Sequence, residues 1–373
     1  PLKGYVGATV TVVAENLGTI AKEDIQMMFG ETPATDITIV DESTFTVKVP
    51  SLTTFGEIPL SMTIHGVEMN MGDYAAFEIL ASPVITSVET DNKFSSKAVQ
   101  VGNTVTIKGT GFRNSTISSA TFGGQDLNYT VVSDTEITAS VSEQCAEGED
   151  VITFKFDDVV VDVVSSDKLN MLKAGSDISD YILTNVKQPF ESKEGKASGH
   201  CTPVGWQFNY GSGNDGFCHD ESKIEEPGEG LYMNDQGGLL VIQSGWDRLS
   251  KKMNGKMFQT FNIPQGVYDV VIDVAELATN GSGRKKAGLF ISKGGEEQTP
   301  NMDSSGNWTE NTNLLKSVDF YMPGETYSEN YKDRRFVIEN LTINYEGETT
   351  LGFVVHFDSN RALKISSIKV LLK

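Results

Sequence analysis

VGNTVTIKGTGF, residues 101–112, is the stretch on which the fold turns. Val105 and Ile107 alternate with Thr104, Thr106 and Lys108, the period-two pattern of a strand with one buried face. Gly102-Asn103 before it and Gly109-Thr110-Gly111 after it supply turn chemistry. The same unit stands earlier as VGATVTV, residues 6–12. Two more blocks repeat in the same order: Phe29-Gly30 as Phe122-Gly123, and VDESTFTVKV (40–49) as VSDTEITASV (132–141). Matched blocks in one order mean two copies of one β domain, each of about 90 residues.

The residues that carry the repeat resemble the IPT/TIG domain, an immunoglobulin-like β-sandwich. The resemblance lies in "VGNTVTIKGTGF", "ATFGG" and "VVSDTEITASV", and the second copy extends it back to "SPVITSVET" at 82–90. The first copy has no counterpart of that opening strand, so the chain is expected to start inside a domain that began earlier. In bacterial surface proteins such domains act as spacers, and the resemblance implies that role here.

At 373 residues the chain has room for a third domain. "SSDKLNMLKAGSDISDY" is polar and shows no strand pattern, which puts a boundary at about 166–176. The expected domains are therefore 1–81, 82–170 and 171–373. The third block is β-rich too. "MFQTFNI" and "VYDVVIDVAEL" flank Pro264-Gln265-Gly266, a hairpin signal, and a loop-rich stretch runs from Lys293 to about Arg334.

Residues 230–373 resemble a Bacteroidota family of unknown-function domains with a galactose-binding-like jelly roll. The most specific part is GKMFQTFNIPQGVY, 255–268. The resemblance implies an all-β chain of two immunoglobulin-like sandwiches followed by a jelly roll. It also implies a surface lipoprotein of a polysaccharide-utilisation system, with an outer-membrane transporter or hydrolase as partner. The chain starts at Pro1 without an initiator Met or signal peptide, so the lipidated anchor is expected upstream.

Composition narrows the function. The 51 acidic against 30 basic residues give a formal charge of −21, which repels phosphate backbones and excludes a nucleic-acid partner. Gly211-Ser212-Gly213-Asn214-Asp215-Gly216 spells a nucleotide fingerprint, but no helical periodicity follows it and Pro227 intrudes, so it reads as a turn. Cys201 and Cys218 on either side of it can pair as a disulfide, bind zinc with His200 and His219, or stay free; the usual zinc spacings are missing. The Asn301–Gly306 run starts like an EF-hand but has Thr312 at the twelfth position. Structural calcium in scattered loops remains an option, and no other cofactor is expected.

No serine-hydrolase elbow is present, and no motif singles out two of the 51 acids as a glycosidase pair. The expectation is a non-enzyme. His356 alternates with Phe353, Val355 and Phe357, which suggests the less buried face of its strand, and His65 reads the same way. All three tryptophans, 206, 246 and 308, lie in the third block among loop-type neighbours. Sugars offer flat CH faces that stack on aromatic rings and hydroxyl rims that bind planar polar groups. Trp308, Trp246 and Trp206 are therefore the leading carbohydrate-binding candidates. Trp308 leads because "DSSGNWTENTN" offers little to pack against. Tyr210, Tyr232, Tyr327 and Tyr331 follow, with Arg284, Asp247, Arg248, Asn280 and Asn360 as polar rim. The expected function is polysaccharide or oligosaccharide capture by a monomer at the cell surface. An adhesin and, less favoured, a glycoside hydrolase are the rivals.

Overall fold

The computed structural model describes residues 2–15, 17–52, 54–157, 159–193, 199–200, 203–209, 231–233, 238–244, 252–279, 285–302, 307–320, 331–358 and 361–373. The chain is all-β and splits into two compact units, Pro1–Leu172 and Lys173–Lys373.

The first unit holds two sandwiches with separate cores. In the first sandwich the strands are β1 (Leu2–Tyr5), β2 (Thr9–Val13), β3 (Ile25–Phe29), β4 (Thr32–Pro33) and β5 (Thr35–Ile39). They are followed by β6 (Thr44–Lys48), β7 (Gly56–Ile64), β8 (Val67–Glu68) and β9 (Ala76–Leu80). One sheet runs β1-β9-β7-β3-β4, with β8 on β7, and the other is β2-β6-β5. The inward residues Phe29, Phe45, Val47, Phe77 and Ile79 fill the space between them, with Phe29 edge-on to Phe77 at 5.2 Å.

The second sandwich repeats the plan with β10 (Val84–Thr90), β11 (Ala98–Val99), β12 (Val105–Thr110), β13 (Ile117–Phe122) and β14 (Gln125–Asp126). Then come β15 (Asn128–Ser133), β16 (Glu136–Ser140), β17 (Gly148–Phe156) and β18 (Val163–Met171). Its sheets are β10-β12-β16-β15 and β11-β18-β17-β13-β14. Val105 and Ile107 of the opening stretch are both fully buried, as their alternation demands. The polar run "SSDKLNM" is corrected here: it is part of β18, with Leu169 and Met171 pointing into the core. The chain crosses into the second unit only after Leu172. Cys145, in an acidic loop by sequence, is buried as a free thiol.

The second unit is a jelly-roll sandwich. Its strands are β19 (Gly199–His200), β20 (Gln207–Asn209), β21 (Leu231–Met233), β22 (Leu240–Ser244), β23 (Lys252–Asn262) and β24 (Gly266–Thr279). The rest are β25 (Lys285–Lys293), β26 (Leu314–Asp319), β27 (Tyr331–Ile343), β28 (Glu348–Asp358) and β29 (Arg361–Leu372). One antiparallel sheet runs β19-β21-β22-β29-β24-β27 and the other β20-β23-β28-β25-β26. The Pro264-Gln265-Gly266 turn is therefore no hairpin. It carries the chain from one sheet to the other, and the Tyr268 hydroxyl donates back to the Pro264 carbonyl at 2.7 Å. Nor is 293–334 all loop, since β26 lies within it.

Between the two sheets, Phe320 touches Phe336 of β27 at 4.8 Å and Phe353 of β28 at 6.1 Å. His356 is corrected as well. β28 is the central strand of its sheet, covered on both faces, and His356 is buried. His65 is exposed, but it sits in the turn between β7 and β8 with a positive φ and pairs with Asp24.

Candidate functional site

A ligand that meets the jelly roll on a sheet must meet one of its two outer faces, and they differ in chemistry. On the six-stranded sheet, β24 presents three carboxylates to cations on its neighbours. Asp273 is held by two guanidinium contacts from Arg335, the shorter at 2.7 Å, and by the Ser367 hydroxyl. Glu276 meets Lys364 at 2.6 Å and Lys332 at 3.8 Å, and Asp269 meets Lys373 at 2.8 Å. The Arg335 hydrogen bonds hold the Asp273 carboxyl below its ordinary range, and Lys373 does the same for Asp269. These charges already satisfy one another.

The five-stranded sheet presents a mixed apolar and polar face. Its register sets Lys256 beside Val354 and Gly288, then Phe258 beside Gly352 and Phe290. In the opposite direction His356 pairs with Lys286. The segment after β25 folds back over this face. Phe258, Phe290, Val354 and Met302 form a buried cluster, with Trp308 and Leu314 packed on it half-buried.

Trp308 is fixed in this face by three features. A bridge ties it to Met302, and its Nε1 donates to Asp319 Oδ1 at 2.9 Å. Its ring lies over Gly288, where a Cβ would come within 2.6 Å of Cζ2. A glycine inside a strand marks such a close approach, so Gly288 in "KKAGLFIS" was the available sequence signal. The expectation that Trp308 lacks packing partners is thus corrected, while its ring keeps a solvent-facing part.

Lys256 anchors the covering segment from below. It is nearly buried, and its Nζ donates to the carbonyl and hydroxyl of Thr299. Thr299 in turn donates its hydroxyl to the Glu296 carbonyl at 2.6 Å. Farther along, Thr309 N donates to the Asn301 carbonyl at 2.9 Å and Asn311 Nδ2 to the Gln298 carbonyl at 3.1 Å. The segment bearing Trp308 is thereby tied to the sheet and to itself.

Burial lowers the Lys256 ammonium from its ordinary 10.5 to about 8. The unfolded chain keeps that proton to about 10.5, so unfolding takes up a proton between pH 8 and 10.5. Stability of the second unit is therefore expected to rise by about 2 kcal/mol from pH 8 to pH 10 on this account. Above pH 10 the Tyr268 hydroxyl, pushed up to about 12 by burial, works in the opposite direction. Urea unfolding across pH 7.5–10 checks this, because Lys256→Met should flatten the rise. An equal rise in the variant would rule Lys256 out as its source.

Trp206 does not belong to this site, which corrects its candidacy. It is 3% exposed and stacks on Phe353 at 5.8 Å, on the inner face of the same sheet. Its Nε1 donates to the Asn185 carbonyl at 3.0 Å. Trp206 and Trp308 thus lie on opposite faces and serve different ends. Tyr232 and Tyr331 fall in strands of the other sheet. Trp246, Tyr210, Tyr327, Arg284, Asp247, Arg248, Asn280, Asn360, Cys201, Cys218 and the glycine-rich 211–216 lie outside the described residues. Lys256, Gly288 and Asp319 are the site residues that sequence reasoning missed. Among the described residues no cluster of three or more His, Cys, Asp or Glu side chains is placed to hold a metal ion.

The comparisons with known proteins divide along the chain. Residues 83–167 match the IPT/TIG domain. That match falls on the second sandwich and on the strands of the opening stretch. No curated protein matches the chain. Among solved structures it is similar to the surface glycan-binding protein PbSGBP-B of Prevotella bryantii, at 14% identity and a TM-score of 0.21. That alignment covers 99% of this chain and 94% of the other. It is also similar to SGBP-B of a Bacteroides ovatus mixed-linkage glucan utilisation locus, in complex with a heptasaccharide. There the identity is 11% and the TM-score 0.22, over 98% of this chain and 73% of the other. A third similarity is to the K1 cleaved adhesin domain of Lys-gingipain from Porphyromonas gingivalis. It has 13% identity and a TM-score of 0.26, over 46% of this chain and 92% of that one.

Proposed function

We propose that this chain is a non-catalytic surface protein that captures polysaccharide through its jelly roll, with the immunoglobulin-like sandwiches as spacers. The observation that carries the reading is Trp308, an indole fixed by Asp319 and Gly288 on the outer face of the five-stranded sheet. A ring locked in place loses little entropy on stacking against a sugar face. Asp269, Asp273 and Glu276 on the opposite sheet are engaged in ion pairs, so these three carboxylates are not poised as a glycosidase acid or nucleophile. The resemblance of 255–268 to domains of Bacteroidota surface lipoproteins supports placement outside the outer membrane, as a monomer serving a transporter or hydrolase. No cofactor takes part, and any calcium would be structural.

Affinity electrophoresis of the full chain in gels carrying single plant or host polysaccharides tests this. At least one glycan is expected to retard the band, with EGTA present or absent. If EGTA abolishes retardation, calcium belongs to the site. A chain unretarded by every glycan, with and without calcium, would favour the adhesin reading.

A further inference from the structure

The carboxylates of the jelly roll are not all alike. Asp269, Asp273 and Glu276 on the six-stranded sheet each meet a lysine or an arginine. Asp319, beside Trp308, meets no cation among the described residues. Its one bond is the 2.9 Å contact of Oδ1 with the indole Nε1. Oδ2 accepts nothing from the described residues. It is not one of the sealed polar atoms that lack a partner, so it reaches solvent.

Topology sets that oxygen at the ring. Phe320 turns inward onto Phe336 and Phe353, so Asp319 before it points to the outer face. In register Asp319 lies opposite Gly288, the residue that makes room for Cζ2. The indole edge carrying Nε1 and Cζ2 is therefore turned to the sheet, and the solvent-facing part of the ring lies away from it. A sugar stacked on the ring brings its rim of hydroxyls down to the carboxylate at that edge. No neighbouring lysine neutralises the charge. Lys256 is bonded to Thr299 beneath the covering segment, and Lys286 has a partner other than Asp319. Lys316 lies opposite Ile291, on the other side of β26.

We infer that Asp319 is the specificity-determining residue of this site. Its free Oδ2 accepts a hydroxyl of the sugar stacked on Trp308, and its unpaired charge turns away acidic glycans, so the ligand is a neutral polysaccharide. The inference rests on the reading of Trp308 as the ring that meets the glycan. A hydroxyl donating to a carboxylate makes a short, charge-assisted bond, stronger than one between neutral groups. A uronate or sulfate in the same position meets a like charge at close range. The formal charge of −21 on the whole chain acts in the same direction at longer range.

The test uses the full chain and the polysaccharide that retards it most, in two derivatives of equal substitution. Hydroxyethyl groups add bulk alone; carboxymethyl groups add similar bulk with a negative charge. Calorimetric titration in about 0.15 M salt screens charges that lie beyond about 8 Å and so reads the local one. The parent is expected to bind the carboxymethyl form about ten-fold more weakly than the hydroxyethyl form. Asp319→Asn keeps an oxygen for the Trp308 Nε1, and a urea midpoint equal to that of the parent establishes that it is folded. In this variant the gap should narrow to about three-fold or less, and the unmodified glycan should bind more weakly than to the parent. A gap unchanged in Asp319→Asn would overturn the inference, as would equal binding of the two derivatives by the parent. Either result leaves the proposed function standing if Trp308→Ala loses the unmodified glycan. A full chain that binds no polysaccharide removes both.

Discussion

Gly109→Ala is expected to remove the unfolding transition of the second sandwich. The added methyl would lie 2.0 Å from the Val84 carbonyl oxygen and 2.3 Å from Phe112 Cζ. A phenyl ring can shift, but a backbone carbonyl in a paired strand cannot do so without breaking its ladder. Gly109 lies opposite Ile85, where β10 is bulged before Ser87, so the contact falls where register is set. Freeing the clash means lifting the start of β10 and exposing Ile85 and Val88, both now buried. The cost should exceed about 4 kcal/mol, in the range reserved for overpacked backbone and lost core together. Calorimetry of the variant should lack one transition that the parent shows. The reverse change in the first copy, Ala14→Gly, should shift its transition by no more than about 1 kcal/mol. A Gly109→Ala variant that melts like the parent would refute the account of this bulge.

Trp206→Ala carries the second large effect, on the other unit. The indole is buried, stacked on Phe353, and its Nε1 bonds the Asn185 carbonyl. Removal leaves a cavity against a ring that also contacts Phe320, and it orphans a carbonyl in the turn before Lys187. Losses of about 3–5 kcal/mol are usual for such truncations. Urea unfolding monitored by the remaining tryptophans should show the midpoint of the second unit move to lower urea with m unchanged. A change under about 1 kcal/mol would mean that Trp206 is not the core residue described here. The contrast with Trp308 matters for function, because removing Trp308 exposes a small outer cluster and leaves the inter-sheet core intact.

The fold was legible where alternation and repetition were strong. The VGNTVTIKGTGF block and its echo at 6–12 placed two sandwiches, because buried β-branched residues at period two leave few other arrangements. Legibility failed where strand partners mattered more than strand pattern. "SSDKLNM" is mostly polar yet is held in β18 by its pairing with β17, so pattern alone missed it. His356 looked exposed because alternation assumes one wet face, and β28 is a central strand with both faces covered. Pro264-Gln265-Gly266 looked like a hairpin because local turn chemistry does not reveal that its two strands join different sheets.

The site was less legible. Loop-like neighbours make candidates of all three tryptophans, with Trp308 first, but the fate of each ring depends on the strand face it reaches. Trp206 reaches Phe353 on the inner face and Trp308 reaches Gly288 on the outer one. Asp319 and Lys256 come to the same region only through the antiparallel register of β23, β28, β25 and β26. Sequence spacing holds no trace of that register. Gly288 was the exception, a strand glycine whose missing side chain makes room for the ring.

The central claim is that Trp308 presents its ring to a glycan. The direct measurement is affinity electrophoresis of the parent and Trp308→Ala, side by side, in the polysaccharide that retards the parent most. Equal urea midpoints would first establish that both are folded. Retardation in the variant weakened at least ten-fold, a loss of about 1.4 kcal/mol, is the predicted result. Undiminished retardation of a folded Trp308→Ala chain would contradict it.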